Sequence, residues 1–325
     1  MPLSNTARTV TFNGDEEGVI RLDGLHQLSG VHASLLGAAL QPGEVIEHIL
    51  LCPWWDCSTK PFGVEPMRAS HTLCLTKHRL VVTRHYLDGR TAPATVAIDR
   101  CCLVGLELGQ ALLMSWLALH VRRDRTITKE GLYFPTRGNK YVTDLLRDLR
   151  RSWPAYDTLV AATSPVSPCT VFGAAGYFHE RLLRPLLLED ERCLRVSQRL
   201  PIWGHEAGWW GRLRPIGLAH RGTLLLTDRS FVYVCGKPGL GPKDYVFDHN
   251  LVCFPLSALT RVEHERDRTD GVGYSRIRLA VGTDGGNLDV LLPKNQADLA
   301  AEWYEELGSL VNGVCGPRWQ ERTRS

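Results

Sequence analysis

The chain carries 10 cysteines but no Cys-x-x-Cys pair. A zinc centre draws two chelating pairs at short spacing onto one tetrahedron, so scattered cysteines do not read as a metal framework. His71, Cys74 and His78 are neighbours in sequence only. On a strand rising about 3.3 Å per residue, His71 and Cys74 face opposite ways and Cys74 lies about 13 Å from His78. No metal and no other cofactor is expected, and the thiols read as buried, reduced groups of a cytoplasmic protein.

Charge of one sign is also lacking. Lys and Arg number 38 against 35 Asp and Glu, a net charge of +3, and the cations are interspersed with acids. That balance excludes a global nucleic-acid-binding surface. There is no basic start, apolar run and small-residue cleavage site of a secretory signal, so the cytoplasm is the expected location. No Gly-x-Ser-x-Gly elbow is present. Cys74, Cys101 and Cys102 fall in apolar runs expected to be buried. Gly239-Leu-Gly241-Pro-Lys243 and Gly271-Val-Gly273 lie between expected strands, whereas a phosphate loop needs a helix behind it. An enzyme is not expected; a cytosolic hydrolase with an unrecognised site is the remaining catalytic alternative.

What the sequence does have is a duplication. Thr72-Leu-Cys-Leu-Thr76-Lys-His-Arg79 in the first half matches Thr223-Leu-Leu-Leu-Thr227-Asp-Arg229 in the second. Downstream, Val96-Ala-Ile98 aligns with Phe254-Pro-Leu256, Val104 with Val262, Leu117-Ala-Leu119 with Ile277-Arg-Leu279, and Leu132-Tyr-Phe134-Pro135 with Val290-Leu-Leu292-Pro293. A repeat of this length sets the structural unit at near half the chain.

The repeat also settles the one long apolar stretch, Cys101 to Val121, which could span a bilayer by length alone. Its counterpart from Leu259 to Val281 carries Arg261, Glu263, Glu265, Arg266, Asp267 and Arg268. One element cannot be a membrane helix in one copy and polar in the other, so both read as two strands and a turn.

Alternating apolar runs broken by Gly and Asp turns predict antiparallel meanders. Each repeat then closes on an amphipathic helix, with the stripe Leu145, Leu146, Leu149 and Trp153 in the first and Leu299, Trp303, Leu307, Leu310 and Val311 in the second. Residues 1–40 read as an N-terminal hairpin (Thr9 to Phe12 with Val19 to Leu22) and a leading helix. Residues 41–154 form the first repeat and 155–190 a linker with a second leading helix, made irregular by Ser164 to Pro168 and Gly173 to Gly176. Residues 191–313 form the second repeat and 314–325 a flexible tail.

A "gE" start, an L-L-L-T-D/K-x-R strand, an apolar-Pro-Leu element and a closing helix resemble the bacterial pleckstrin-homology-like (PH-like) and GRAM-like domains. Glu44, Leu73, Leu75, Thr76, Arg79, Ile98 and Val104 carry the resemblance in the first copy. Glu191, Leu224, Leu226, Thr227, Asp228, Arg229, Pro255, Leu256 and Val262 carry it in the second. The first copy departs at Lys77-His78 and Ala97, and the second displaces the Arg by one place. The resemblance implies an α+β, mainly β fold of two partly open barrels, each capped by its C-terminal helix. It also implies binding rather than catalysis.

The candidate contact residues are Trp54, Trp55, Lys60 and Arg68 in the loop after the first strand of copy one. In the matching loop of copy two they are Trp209, Trp210, Arg212, Arg214, His220 and Arg221. Large flat rings beside Arg suit a contact surface, since rings bury area and guanidinium groups supply directed donors. A protein partner is the leading expectation for this scaffold. A peripheral module on an anionic membrane surface is the alternative, because Arg also suits headgroup phosphates.

Overall fold

The computed structural model describes residues 18–314 apart from 29, 54–68, 87–88, 90, 112–113, 125, 157–164, 206–214, 220, 237–247, 270–271 and 283–285. The fold is α+β and mainly β, with several antiparallel sheets, and among the described residues none closes into a barrel. Its described residues fall into two compact units. One lies within Met1–Leu103, Leu112–Leu117 and Gly131–Ser152, the other within Val104–Ala111, Ala118–Glu130 and Trp153–Ser325.

In the first half, β1 (Ile20–Leu22), β2 (Ile46–Cys52), β3 (Ala69–Thr76), β4 (Arg79–Tyr86) and β5 (Ala94–Asp99) form one sheet in sequence order. The segment Val19 to Leu22 thus pairs with β2, Ile20 opposite Leu51. The other arm of the expected N-terminal hairpin lies outside the described residues. Helix α1 (Gly30–Ala39) packs on β3, β4 and β5. Leu36, Ile49, Leu51, Cys74 and Val81 form an apolar cluster beneath it. A short 3-10 turn, Arg100–Cys102, then leads into β6 (Leu103–Ala111), β7 (Met114–Arg123) and β8 (Thr126–Pro135), and α2 (Asn139–Arg151) closes the repeat.

The second half repeats this order. Helix α3 (Pro168–Leu183) leads into β9 (Cys193–Arg199), a hairpin of β10 (Ile202–His205) and β11 (Pro215–Ala219), then β12 (Gly222–Thr227), β13 (Ser230–Gly236) and β14 (Asp248–Pro255). A 3-10 turn at Leu256–Ala258 is followed by β15 (Leu259–Thr269), β16 (Val272–Val281), β17 (Gly286–Pro293) and α4 (Ala297–Val314). Gly173 to Gly176 lies inside α3 rather than in an irregular linker. Ser167 caps the helix by accepting from the Thr170 amide at 3.3 Å and Pro168 occupies its first turn, so strong N-terminal signals outweigh two glycines.

The two copies differ in what flanks their fifth strand. β6 pairs with β14 from Leu106 opposite Cys253 to Ala111 opposite Asp248, which joins both halves' strands in one seven-stranded sheet ordered β8-β7-β6-β14-β13-β12-β9. A central strand covered on both faces reads as a near-continuous apolar run, and Leu103, Val104, Leu106 and Leu108 are all buried. Gly105 belongs to the same fit, because a Cβ there would overlap the Phe254 ring. By contrast β15 is an edge of the sheet β15-β16-β17, and its charge suits an edge. Glu265 meets Arg276 at 3.2 Å and Arg278 meets Asp289 at 2.9 Å on the outward face, while Leu259, Ile277, Leu279, Val290 and Leu292 turn inward.

At the fourth strand the alignment shifts by two residues, while Pro135 and Pro293 both end the last strand as aligned. Asp99 lies opposite Arg79 and Pro255 opposite Ser230, so Ile98 corresponds to Phe254 and not to Leu256. A two-residue slip preserves the side-chain period, which is why the apolar pattern alone did not resist it.

The closing helices bury Leu145, Leu146 and Leu149 in one half, with Trp153 buried just past the helix end, and Trp303, Leu307 and Val311 in the other, where Leu299 and Leu310 of the expected stripe are half-buried against the same core. Trp303 is wholly buried, its ring edge-on to Phe231 at 5.9 Å and 5.0 Å from the Arg195 guanidinium. Truncating a buried Trp costs about 3–5 kcal/mol. Trp303→Ala is therefore expected to shift the denaturant midpoint strongly, and an unchanged unfolding curve would contradict this placement.

Candidate functional site

Trp54, Trp55, Lys60, Arg68, Trp209, Trp210, Arg212, Arg214 and His220 lie outside the described residues. Arg221 is described; it is exposed and immediately precedes β12. The structure does define the frame that carries these segments. Both leave the sheet at the same point, after the first strand of the repeat and before the second. In the second copy the connection is lengthened by the β10–β11 hairpin.

Each frame is fixed by a carboxylate at the start of that first strand. Glu44 accepts the Thr76 hydroxyl at 2.7 Å and the Gln41 amide at 2.9 Å. Glu191 accepts the Thr227 hydroxyl at 2.6 Å and the Leu188 amide at 3.1 Å. In both, the threonine oxygen also accepts a backbone amide from the following hairpin turn, Arg79 at 3.2 Å and Ser230 at 2.9 Å. The L-L-L-T motif and the "gE" start are two halves of one clasp. Arg79 adds a bidentate pair to Glu44 at 2.8 and 2.6 Å and holds its carboxyl at about 2. Arg229, one place earlier, turns instead to Asp190 and to the Trp153 carbonyl.

Four residues beyond each glutamate the first strand ties to the closing helix. His48 bonds Asp148 of α2, and Arg195 pairs with Glu302 and Glu306 of α4.

At the far end of the same strands, next to where these connections begin and end, three residues stand in a cross-strand row in each copy. In the first copy the row is Cys52, His71 and Arg84 on β2, β3 and β4. In the second it is Arg199, Gly222 and Cys235 on β9, β12 and β13. The arginine and the cysteine exchange ends, and the arginine's task is kept. Arg84 donates to the Gly131 carbonyl of β8 at 3.2 Å, and Arg199 donates to the Leu291 carbonyl of β17 at 3.4 Å. Arg199 also lies over the Tyr233 ring at 5.4 Å. Gly222 leaves room for this, since a Cβ there would sit 3.0 Å from Arg199 Nε, from the Tyr233 ring and from the Val234 carbonyl.

Electrostatically, each row offers a permanent cation and little else that is charged. Burial pushes the Cys52 thiol up to about 12 and raises that of Cys235, so neither is a thiolate at neutral pH. Burial, with Arg84 nearby, lowers His71 to about 3. Among the described residues no group of three or more His, Cys, Asp or Glu side chains is placed to hold a metal ion.

Sequence reasoning missed a second duplicated feature on the opposite face of these sheets. His32 of α1 bonds Thr83 and Ser70 through its two ring nitrogens, both at 2.8 Å. His179 of α3 bonds Thr223 at 2.7 Å. Each stands twelve residues before its clasp glutamate and meets a second histidine edge-on, His85 at 6.0 Å and His249 at 5.6 Å. Thr83 is the cross-strand partner of Thr72, and Thr72 is the counterpart of Thr223, so both histidines anchor the leading helix to the same place on the sheet. The shared spacing His-x(11)-Glu is the signal that could have found them.

No protein-family model matches this chain, and no curated protein matches it in sequence.

Burial lowers His32 and His179 to about 4, with His85 and His249 respectively as the next cause. Their unfolded value is 6.5, so below it the unfolded chain binds protons that the folded chain refuses. Stability is therefore expected to fall as pH drops from 6.5 towards 4, by at most about 1.4 kcal/mol per pH unit for each histidine. The double variant His32→Gln, His179→Gln should flatten this slope. Denaturant midpoints at several pH values across that window check it, and an unaltered slope would refute the assignment.

Proposed function

We propose that this chain is a non-enzymatic interaction scaffold of two PH-like repeats, residues 41–154 and 191–313, which binds a protein partner through the aromatic and basic connections after each first strand. Each half runs leading helix, four strands, 3-10 turn, three strands and closing helix, with the β10–β11 hairpin inserted after the first strand of the second half, and the seven strands with a closing helix are what the PH-like resemblance implies. On this reading the four-stranded and three-stranded sheets of a repeat are the two walls of a partly open barrel, with the closing helix as its cap.

One observation carries the proposal: both repeats have a long connection between their first and second strands, and the strand ends that flank it carry the row with Arg84 or Arg199. Trp, Arg and Lys are concentrated in that connection in both copies. The groups of the row are a fixed cation, a protonated thiol and, in the first copy, a neutral ring, which serve contact and positioning better than bond making. Buried Cys52, Cys74, Cys193 and Cys253 fit a reducing compartment such as the cytoplasm. Among the described residues no helix is long and apolar enough to cross a membrane.

Truncating a central Trp or Arg of a protein interface costs about 2 kcal/mol or more. Replacing Trp209, Trp210, Arg212 and Arg214 together by Ala or Ser is expected to abolish recovery of a partner that the wild-type chain captures, with the thermal transition unchanged. Sedimentation with anionic and neutral vesicles runs beside it. Binding to anionic vesicles that the same variant loses would replace the protein partner by a membrane surface. Loss of the fold would assign these residues to the frame instead.

A further inference from the structure

The 3-10 turn between β5 and β6 carries adjacent cysteines in a setting the sequence did not suggest. Cys101 is exposed and Cys102 half-buried, and their sulfurs lie 4.0 Å apart. The turn is anchored at its first residue. The Arg100 amide donates to the His78 carbonyl at 2.9 Å, and its guanidinium reaches the Thr76 carbonyl at 3.0 Å and Glu47. The corresponding turn of the second repeat, Leu256–Ala258, has no thiol. The pair is therefore no requirement of the turn itself.

Two sulfurs held this way suit a bridging atom better than a direct bond. Adjacent Cα atoms are about 3.8 Å apart, below the range of about 4.4–6.8 Å that disulfides use, so closing a disulfide here strains the turn. A bridging atom with bonds to sulfur of about 2.3 Å spans roughly 3.3–3.8 Å between its sulfurs for angles from a right angle to tetrahedral, a little less than the separation present. Zinc would need four ligands, and the described residues supply no cluster of three. A trivalent organoarsenical needs two thiols only.

We propose that Cys101 and Cys102 form a bidentate dithiol site for a soft thiophilic centre of the trivalent-arsenic type. In the binding step both S–H bonds break and two As–S bonds form. The arsenoxide oxygen leaves as water with the two protons, arsenic stays trivalent, and no oxidant or reductant takes part. The second As–S bond forms within the molecule, at the high effective concentration of a tethered group.

Phenylarsine oxide is the probe, applied to the reduced full-length chain and followed by intact mass and peptide mapping. One adduct bridging Cys101 and Cys102 is expected, stable to millimolar glutathione and released by 2,3-dimercaptopropanol. Cys101→Ser and Cys102→Ser should each lose the glutathione-resistant adduct, while Cys235→Ser keeps it. Mapping of the wild-type adduct to other cysteines, its removal by glutathione, or its persistence in the Cys101→Ser, Cys102→Ser double variant would overturn the proposal. The wild-type map decides even if a serine variant folds poorly.

Discussion

The backbone ladder between β6 and β14 is the constraint on which the rest of the architecture turns. Once a fifth strand of the first repeat lies against the fourth strand of the second, the two copies can no longer have the same sequence there. β6 must be apolar on both faces and small where Phe254 crosses it, hence Gly105. Its one carboxylate, Glu107, is held at about 2, with desolvation opposing and His120, Lys129 and Asn250 lowering it. At the aligned position Glu263 is half-buried beside Arg261 on an edge strand. The same strand is thus largely apolar and central in one copy and charged and marginal in the other, so divergence between repeats follows from neighbours rather than from loss of the repeat.

What did not diverge is equally informative. The clasp of Glu44 with Thr76 and that of Glu191 with Thr227 keep both acceptor oxygens and both donors, although Arg79 on one side has become Ser230 on the other. A nearly covered carboxylate cannot be left without donors, since an unsatisfied buried charge costs several kcal/mol. The threonine hydroxyl and the turn amide are the irreducible part of that satisfaction; the arginine is an addition.

This explains which features were legible in the sequence. Glu44, Thr76, Glu191, Thr227 and the stripe around Trp303 were readable because each is fixed by a local period or by an identity that chemistry forbids to vary. The histidine anchors, His32 and His179, were not, because a lone histidine on a helix carries no period. Only its distance to the clasp glutamate marks it. The Arg84 and Arg199 braces were hidden more deeply. Their residue type is conserved in function but moved between strands, so an alignment places Arg84 against Cys235 and Cys52 against Arg199. Cys101 and Cys102 were expected inside because they adjoin an apolar run, yet they fall on the 3-10 turn that precedes it, where side chains face outward. The Trp and Arg segments, legible as composition, lie outside the described residues, so their geometry adds nothing to what composition said.

The exchange of Arg and Cys across one row has a physical logic of its own. A guanidinium is the side chain that stays charged when covered and can reach across a core to a strand carbonyl. Placing it on β4 in one copy and on β9 in the other still brings it to a carbonyl of the repeat's last strand, Gly131 of β8 and Leu291 of β17. The middle of the row then adjusts to where the arginine starts. With Arg199 lying over β12, a Cβ at position 222 would press on it, on the Tyr233 ring and on the Val234 carbonyl, and glycine removes that crowding. With Arg84 starting from β4, the middle position is free to hold His71, whose burial keeps it neutral beside the cation. A cation at each loop-bearing end, reached by different residues, is harder to explain as inherited packing than as a retained property of the ends themselves.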